Sequence, residues 1–153
     1  MKDRTPVPTS HPARDVTEHV GYRLKRTSAT LRNAMDRALR EHGLTVPQHS
    51  CLELLDERPG LSSAGLARGT LVTRQSANVV LRGLRDAGLV TRPSAAEHGR
   101  ALPVHLTPAG RERLHAARGA VYAIEKRMIA GVPAERLTAL LAGLDTMTEA
   151  LDD

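Results

Sequence analysis

Apolar residues along this chain recur mostly at helical spacing. Val16, Val20, Leu24, Leu31, Met35 and Ala38 return on one stripe from Asp15 onward and predict a long first helix that stops near His42-Gly43. Thr45 is a cap-forming residue and Pro47 suits a first turn, so a second helix opens there. Its inward residues are Cys51, Leu52 and Leu55, and it ends near Pro59-Gly60. A third, short helix spans roughly Ser63 to Thr70. Gly65 and Gly69 weaken it by about 1 kcal/mol each relative to alanine, so packing has to hold it. Thr73 caps a fourth helix, "TRQSANVVLRGLRDAG", which Gly88 closes.

The pattern then changes. "LVTR" and "ALPVHL" read as two short strands joined by a flap from Arg92 to Arg100, and Pro103, which has no N–H, places its strand at an edge. Helical spacing returns with Leu114, Ala117, Val121, Ile124 and Met128. After "GVP" comes a last stripe of Leu137, Leu140, Leu141, Leu144, Met147 and Leu151. The predicted class is mainly α with a small β-wing: a winged helix-turn-helix between long flanking helices. Four segments follow. Residues 1–14, with Pro6, Pro8 and Pro12, form a disordered arm. Residues 15–44 form a first dimerisation helix, 45–107 the central lobe, and 108–153 the C-terminal dimerisation helices. The long stripes have little to cover in so thin a middle module, which favours a homodimer built from both ends.

Composition narrows this picture. The 153 residues suffice for one domain with its own core. There is no Phe or Trp, and Tyr22 and Tyr122 are the only aromatics, so base-stacking platforms for single strands are lacking. No apolar run is long enough to span a membrane, and the first residues carry no apolar core of a secretory signal. The single cysteine, Cys51, rules out an internal disulfide and suits the cytoplasm. The net charge of +5 permits a polyanionic partner without specifying one.

The fourth helix supplies the specificity. On a helical wheel Ala77, Val80, Leu81, Leu84 and Ala87 share one side with Thr73, while Arg74, Gln75, Asn78, Arg82 and Arg85 fall on the other. Arg, Gln and Asn early in the helix make paired hydrogen bonds to base edges, and the later arginines suit phosphates. An ordinary solvated face would mix in Glu and Lys; here Asp86 alone is acidic, at the far edge. A short helix, a turn around "LVT" and this second helix form a helix-turn-helix, so double-stranded DNA is the expected partner. A wing-tip arginine, Arg100, suits the negative potential of a minor groove.

"LTVPQHSCLELL", "LARGTLVTRQSANVVLRGLRDAGLVTR" and "RALPVHLTPAG", in that order, resemble the MarR family of winged-helix transcription regulators. The matching positions include Leu44-Thr45, Gln48, Leu66-Ala67, Val72-Thr73, Gln75-Ser76, Gly88-Leu89-Val90, Arg92, Arg100, Leu106-Thr107 and Gly110. The resemblance implies an obligate homodimer with interleaved end helices. Its recognition helices would occupy successive major grooves of a pseudo-palindromic operator, with the wings in flanking minor grooves. It further implies repression relieved by a small ligand or oxidant. DNA contacts are accordingly expected from Thr73, Arg74, Gln75, Ser76, Asn78, Arg82, Arg85 and Arg100. The chain departs from the family at His98, where an Asp commonly holds the wing arginine, at Gly65, and at Thr70-Leu71, which replaces a more usual Leu-Gly.

For a small anionic or aromatic effector, the candidates near the family pocket are Tyr22, Arg23, Arg26 and His49. Cys51 falls on the apolar side of its helix and reads as a buried hydrophobe rather than a redox sensor. No His-x-x-x-His pair lies on a predicted helix, so a metal site would need His42, His49 and His115 to converge through the fold. No phosphate-cradling loop, nucleophile elbow or paired acid motif is present, so neither cofactor nor catalytic residues are expected. The alternatives are a winged-helix module that binds protein instead of DNA, and a metal- or redox-responsive regulator.

Overall fold

The computed structural model describes residues 15–92 and 102–152. A 3-10 turn at Val16–Glu18 leads into α1 (Val20–Arg40), α2 (Val46–Glu57), α3 (Ser63–Gly69) and α4 (Arg74–Asp86). Strands β1 (Val90–Thr91) and β2 (His105–Leu106) follow, then α5 (Pro108–Ile129) and α6 (Ala134–Glu149). This is the expected order, a mainly helical chain with one small antiparallel sheet.

Hydroxyl side chains start the helices of the central lobe. Thr45 and Gln48 form a reciprocal capping box: the Gln48 N–H donates to Thr45 Oγ1 at 3.3 Å and the Thr45 N–H to Gln48 Oε1 at 3.0 Å. Ser62, Thr73 and Thr107 cap α3, α4 and α5 by accepting from the backbone N–H three residues on, at 3.0–3.1 Å. Thr107 also donates to the Gly88 carbonyl at 2.6 Å, tying the start of α5 to the end of α4.

The sheet is shorter than the sequence suggests. Val90 pairs with Leu106 and Thr91 with His105. Pro103 stands before β2 rather than within an edge strand, because the chain there turns to another partner. The Val104 N–H donates to the Leu61 carbonyl at 2.9 Å and the Gly60 N–H donates to Val104 at 3.0 Å. Val104 thereby clamps the loop before α3 and is itself fully buried.

Leu39, Cys51, Leu52, Leu55, Leu66, Leu84, Val104 and Leu114 make the centre of the core. Leu39 lies one residue beyond the expected first stripe, whose Ala38 is only half-buried. Ala87, expected inward, is exposed, since the helix has ended at Asp86 and the chain turns away through Gly88. Gly69 is not merely a weak helix former. A Cβ there would overlap Leu54 Cδ2, so its absence lets α3 lie close on α2. Gly110 is more constrained still, because a Cβ would run into the Leu89 carbonyl oxygen.

The long helices behave differently. α1 packs against α5, but Leu39 is its only buried residue among those described. Val20, Leu24, Tyr122 and Met128 remain exposed, and α6 buries none of its residues. Leu140 and Leu141 are 48% and 54% exposed on a helix that the chain itself leaves uncovered.

Candidate nucleic-acid interface

The α3–α4 turn determines how α4 is presented. The Thr70 N–H and hydroxyl both donate to the Leu66 carbonyl, at 2.9 and 2.6 Å, and the Val72 N–H donates to Ala67 at 3.1 Å. Between them Leu71 adopts φ +58° with its side chain 93% exposed. This left-handed conformation suits glycine, so Leu71 carries backbone strain at the turn.

From this turn α4 leaves with Ala77, Leu81 and Leu84 buried. Arg74, Gln75, Asn78, Arg82 and Arg85 are all exposed. None of the five makes a side-chain hydrogen bond or ion pair among the described residues, so their donors face solvent. Thr73 and Ser76, also expected as contacts, are exposed but engaged with each other: the Thr73 hydroxyl donates to Ser76 Oγ at 2.9 Å while accepting from the Ser76 N–H. Their first role is to start the helix. Arg100, at the expected wing tip, and His98 lie outside the described residues.

A groove of about 300 Å³ runs beside α4, lined by Ser63, Asn78, Leu81, Arg82, Arg85, Val90, Arg92 and Val104. From the sequence Arg92 is a position shared with the family rather than an expected DNA contact. Its Nε is buried without a partner among the described residues, next to Arg82 and Arg85 along the same groove. Three guanidinium groups there concentrate positive charge beside Asn78, a surface suited to a phosphate backbone.

The four effector candidates separate. Arg23 and Arg26 share a groove of about 470 Å³ between α1 and α5 with Arg127, Thr27, Thr30, Leu31, Ala34, Ile124 and Met128. Tyr22 is exposed outside that lining. His49 lies in a different cavity with Glu53, Asp56, Glu57, Thr70, Leu71 and Arg118. There Arg118 reaches from α5 to α2, donating to both Glu53 carboxylate oxygens at 3.1 Å and to Asp56. These two acids hold its guanidinium even more firmly protonated. His49 Nε2 is 3.5 Å from Glu53 Oε1 but makes no hydrogen bond. Burial lowers the His49 pKa below its ordinary 6.5; Glu53 opposes that and Arg118 adds to it. An anion would meet three carboxylates in this cavity, whereas the α1–α5 groove offers three arginines and apolar walls.

Cys51 is 1% exposed and burial pushes its thiol up to about 11, so little thiolate exists near neutral pH. No group of three or more His, Cys, Asp or Glu residues that could hold a metal ion occurs among the described residues, and His42, His49 and His115 form no such cluster. No helix among them is long and apolar enough to cross a membrane.

Known proteins share this arrangement. The MarR family profile matches residues 42–101. The HTH-type transcriptional repressor Rv2887 of Mycobacterium tuberculosis is 47% identical over 120 residues, 78% of this chain and 83% of that protein. The chain belongs to the MarR family. Its fold is correspondingly similar to crystal structures of the Rv2887 protein. The complex with salicylic acid is 42% identical with a TM-score of 0.66, covering 84% of this chain and 96% of that one. The complex with DNA is 40% identical with a TM-score of 0.68, covering 84% and 97%. The transcriptional repressor CouR bound to a 23-mer DNA duplex is 28% identical with a TM-score of 0.78, covering 86% and 94%. These likenesses cover more of the chain than the 42–101 span that the family profile matches.

Proposed function

We propose that this chain is a homodimeric transcriptional repressor that binds a pseudo-palindromic DNA operator and is released from it by a small anionic, aromatic effector. The observation that carries this reading is the outward arc of α4, where Arg74, Gln75, Asn78, Arg82 and Arg85 are exposed and unpaired among the described residues. Arg74, Gln75 and Asn78 read bases; Arg82, Arg85 and Arg92 neutralise phosphates; Arg100 enters the minor groove. Thr73 and Ser76 fix the start of the reading helix and, exposed there, contact the phosphate backbone. Residues 45–107 form the DNA-binding lobe, and residues 15–44 and 108–153 supply the dimer, whose contact buries the exposed apolar faces of α1, α5 and α6. The protein acts in the cytoplasm and is not an enzyme.

For the effector, the α1–α5 groove is the better match. Arg23, Arg26 and Arg127 suit a carboxylate, and Leu31, Ile124 and Met128 suit a ring. The relative Rv2887 has been crystallised with salicylic acid and with p-aminosalicylic acid, ligands of this chemistry. Tyr22 and His49 are accordingly assigned no direct contact. Because the groove joins α1 to α5, an occupant biases the relative placement of the two lobes, which is a population shift.

The test is a titration of the full chain against duplexes tiled across the promoter of its own gene, read by fluorescence anisotropy. A saturable complex that salicylate dissociates, and that salicylate no longer dissociates in Arg26→Ala, supports the reading. Absence of a discrete complex with every duplex overturns it, and release that persists in Arg26→Ala moves the effector elsewhere.

A further inference from the structure

The arginines of α4 draw attention away from an apolar residue on the same outward side. Val79 is 61% exposed and, among the described residues, is the only large apolar side chain of α4 left so. It takes no part in the hydrophobic core, which α4 joins through Ala77, Val80, Leu81 and Leu84. Gln75, Val79 and Arg82 project opposite that buried side. For folding alone, a β-branched apolar residue is a poor choice at a solvent-facing helix position, where alanine, glutamate or lysine serve better. A single exposed valine among polar residues is also too small for a protein-docking patch.

We propose that Val79 is a specificity-determining residue that selects thymine in the operator through its 5-methyl group. The proposal rests on the DNA-binding reading above and adds a base to it. In the major groove only thymine presents a methyl group; the other base edges present donors and acceptors. Valine methyls against such an edge would strip it of water without replacing the hydrogen bonds, so Val79 rejects cytosine and the purines as well as attracting thymine. Gln75 stands one turn earlier on the same face, about 5–6 Å away between Cβ atoms. With base pairs about 3.4 Å apart, the thymine lies within two base pairs of the base that Gln75 reads.

The experiment uses the full-length protein and its footprinted operator, with each thymine of one half-site replaced singly by uracil. Uracil lacks only the methyl, so pairing and the O4 acceptor are retained. One position is expected to weaken wild-type binding by about three- to fivefold, the effect of losing one buried methyl. Val79→Ala should bind thymine and uracil duplexes equally there, and Val79→Thr, which keeps one methyl, should fall between. No uracil-sensitive position in the wild type, or full sensitivity surviving in Val79→Ala, overturns the proposal. A tight complex indifferent to the methyl overturns only the role of Val79, whereas no complex with any duplex overturns the DNA-binding reading as well.

Discussion

The lobe around α2, α3 and α4 closes its own core, whereas the long helices do not. In the lobe, hydroxyl caps start α2, α3 and α4, Gly69 allows α3 to rest on α2, and Leu52, Leu55, Leu66 and Leu84 are buried within one chain. In the arms, α6 buries nothing and leucines at 140 and 141 face outward at about half exposure. The first region is stabilised by contacts present at any protein concentration. In the proposed homodimer the second gains its burial from a second copy, so its stability is linked to association. The division suits the proposed repressor, in which self-contained lobes sit on arms that a second copy has to cover.

Substitutions in the two regions should therefore fail in different ways. The largest effect is expected from Leu140→Asp combined with Leu141→Asp. Sedimentation equilibrium should report a monomer, and affinity for a two-half-site operator should fall about 10²–10⁴-fold as the second contact ceases to be intramolecular. The lobe fold should persist, while the uncovered arms lose part of the helical circular dichroism signal. Gly110→Ala acts on the other side of the comparison. Its new methyl meets the Leu89 backbone, which cannot rotate away, so urea denaturation should show a loss of about 2–3 kcal/mol at every protein concentration.

A smaller effect concerns the joint between lobe and arm at His49, Glu53, Asp56 and Arg118. Burial depresses the His49 pKa, so the unfolded chain takes up the proton near 6.5 while the folded chain does so only at lower pH. Stability is then full above about pH 7 and declines as pH falls from about 6.5 through the folded value. Melting curves between about pH 7.5 and 5.5 should show this decline in the wild type and a flatter profile in His49→Gln. The smallest effect is local. Leu71→Gly relieves the positive φ in the helix-turn-helix turn and should stabilise the lobe by about 1 kcal/mol, seen as a modest rise in Tm.

What the sequence revealed divides along chemical range. Caps at Thr45 and Thr73 were legible because a capping bond spans three residues, and the two faces of α4 were legible because they follow from helical period alone. Gly69 looked like a defect because the residue it accommodates, Leu54, comes from another helix. The Arg118 bridge joins residues more than sixty positions apart, and no local pattern announces it. The effector candidates were read as one set, but which of them share a groove depends on the pairing of α1 with α5. That pairing brings in Arg127 and sends His49 to a different cavity. Arg92 joins the candidate site only through the fold, because its position just beyond β1 gains meaning beside Arg82 and Arg85.

The most direct test of the central claim, that α4 reads DNA, compares Arg74→Ala and Arg82→Ala with the wild type on operator and scrambled duplexes across a range of salt. Arg74→Ala should lose about 1–3 kcal/mol on the operator and little on scrambled DNA. Arg82→Ala should weaken both alike and lower the slope of log affinity against log salt by about 0.9. Unchanged affinity and unchanged slope in both variants would contradict the account and leave α4 as a solvated surface.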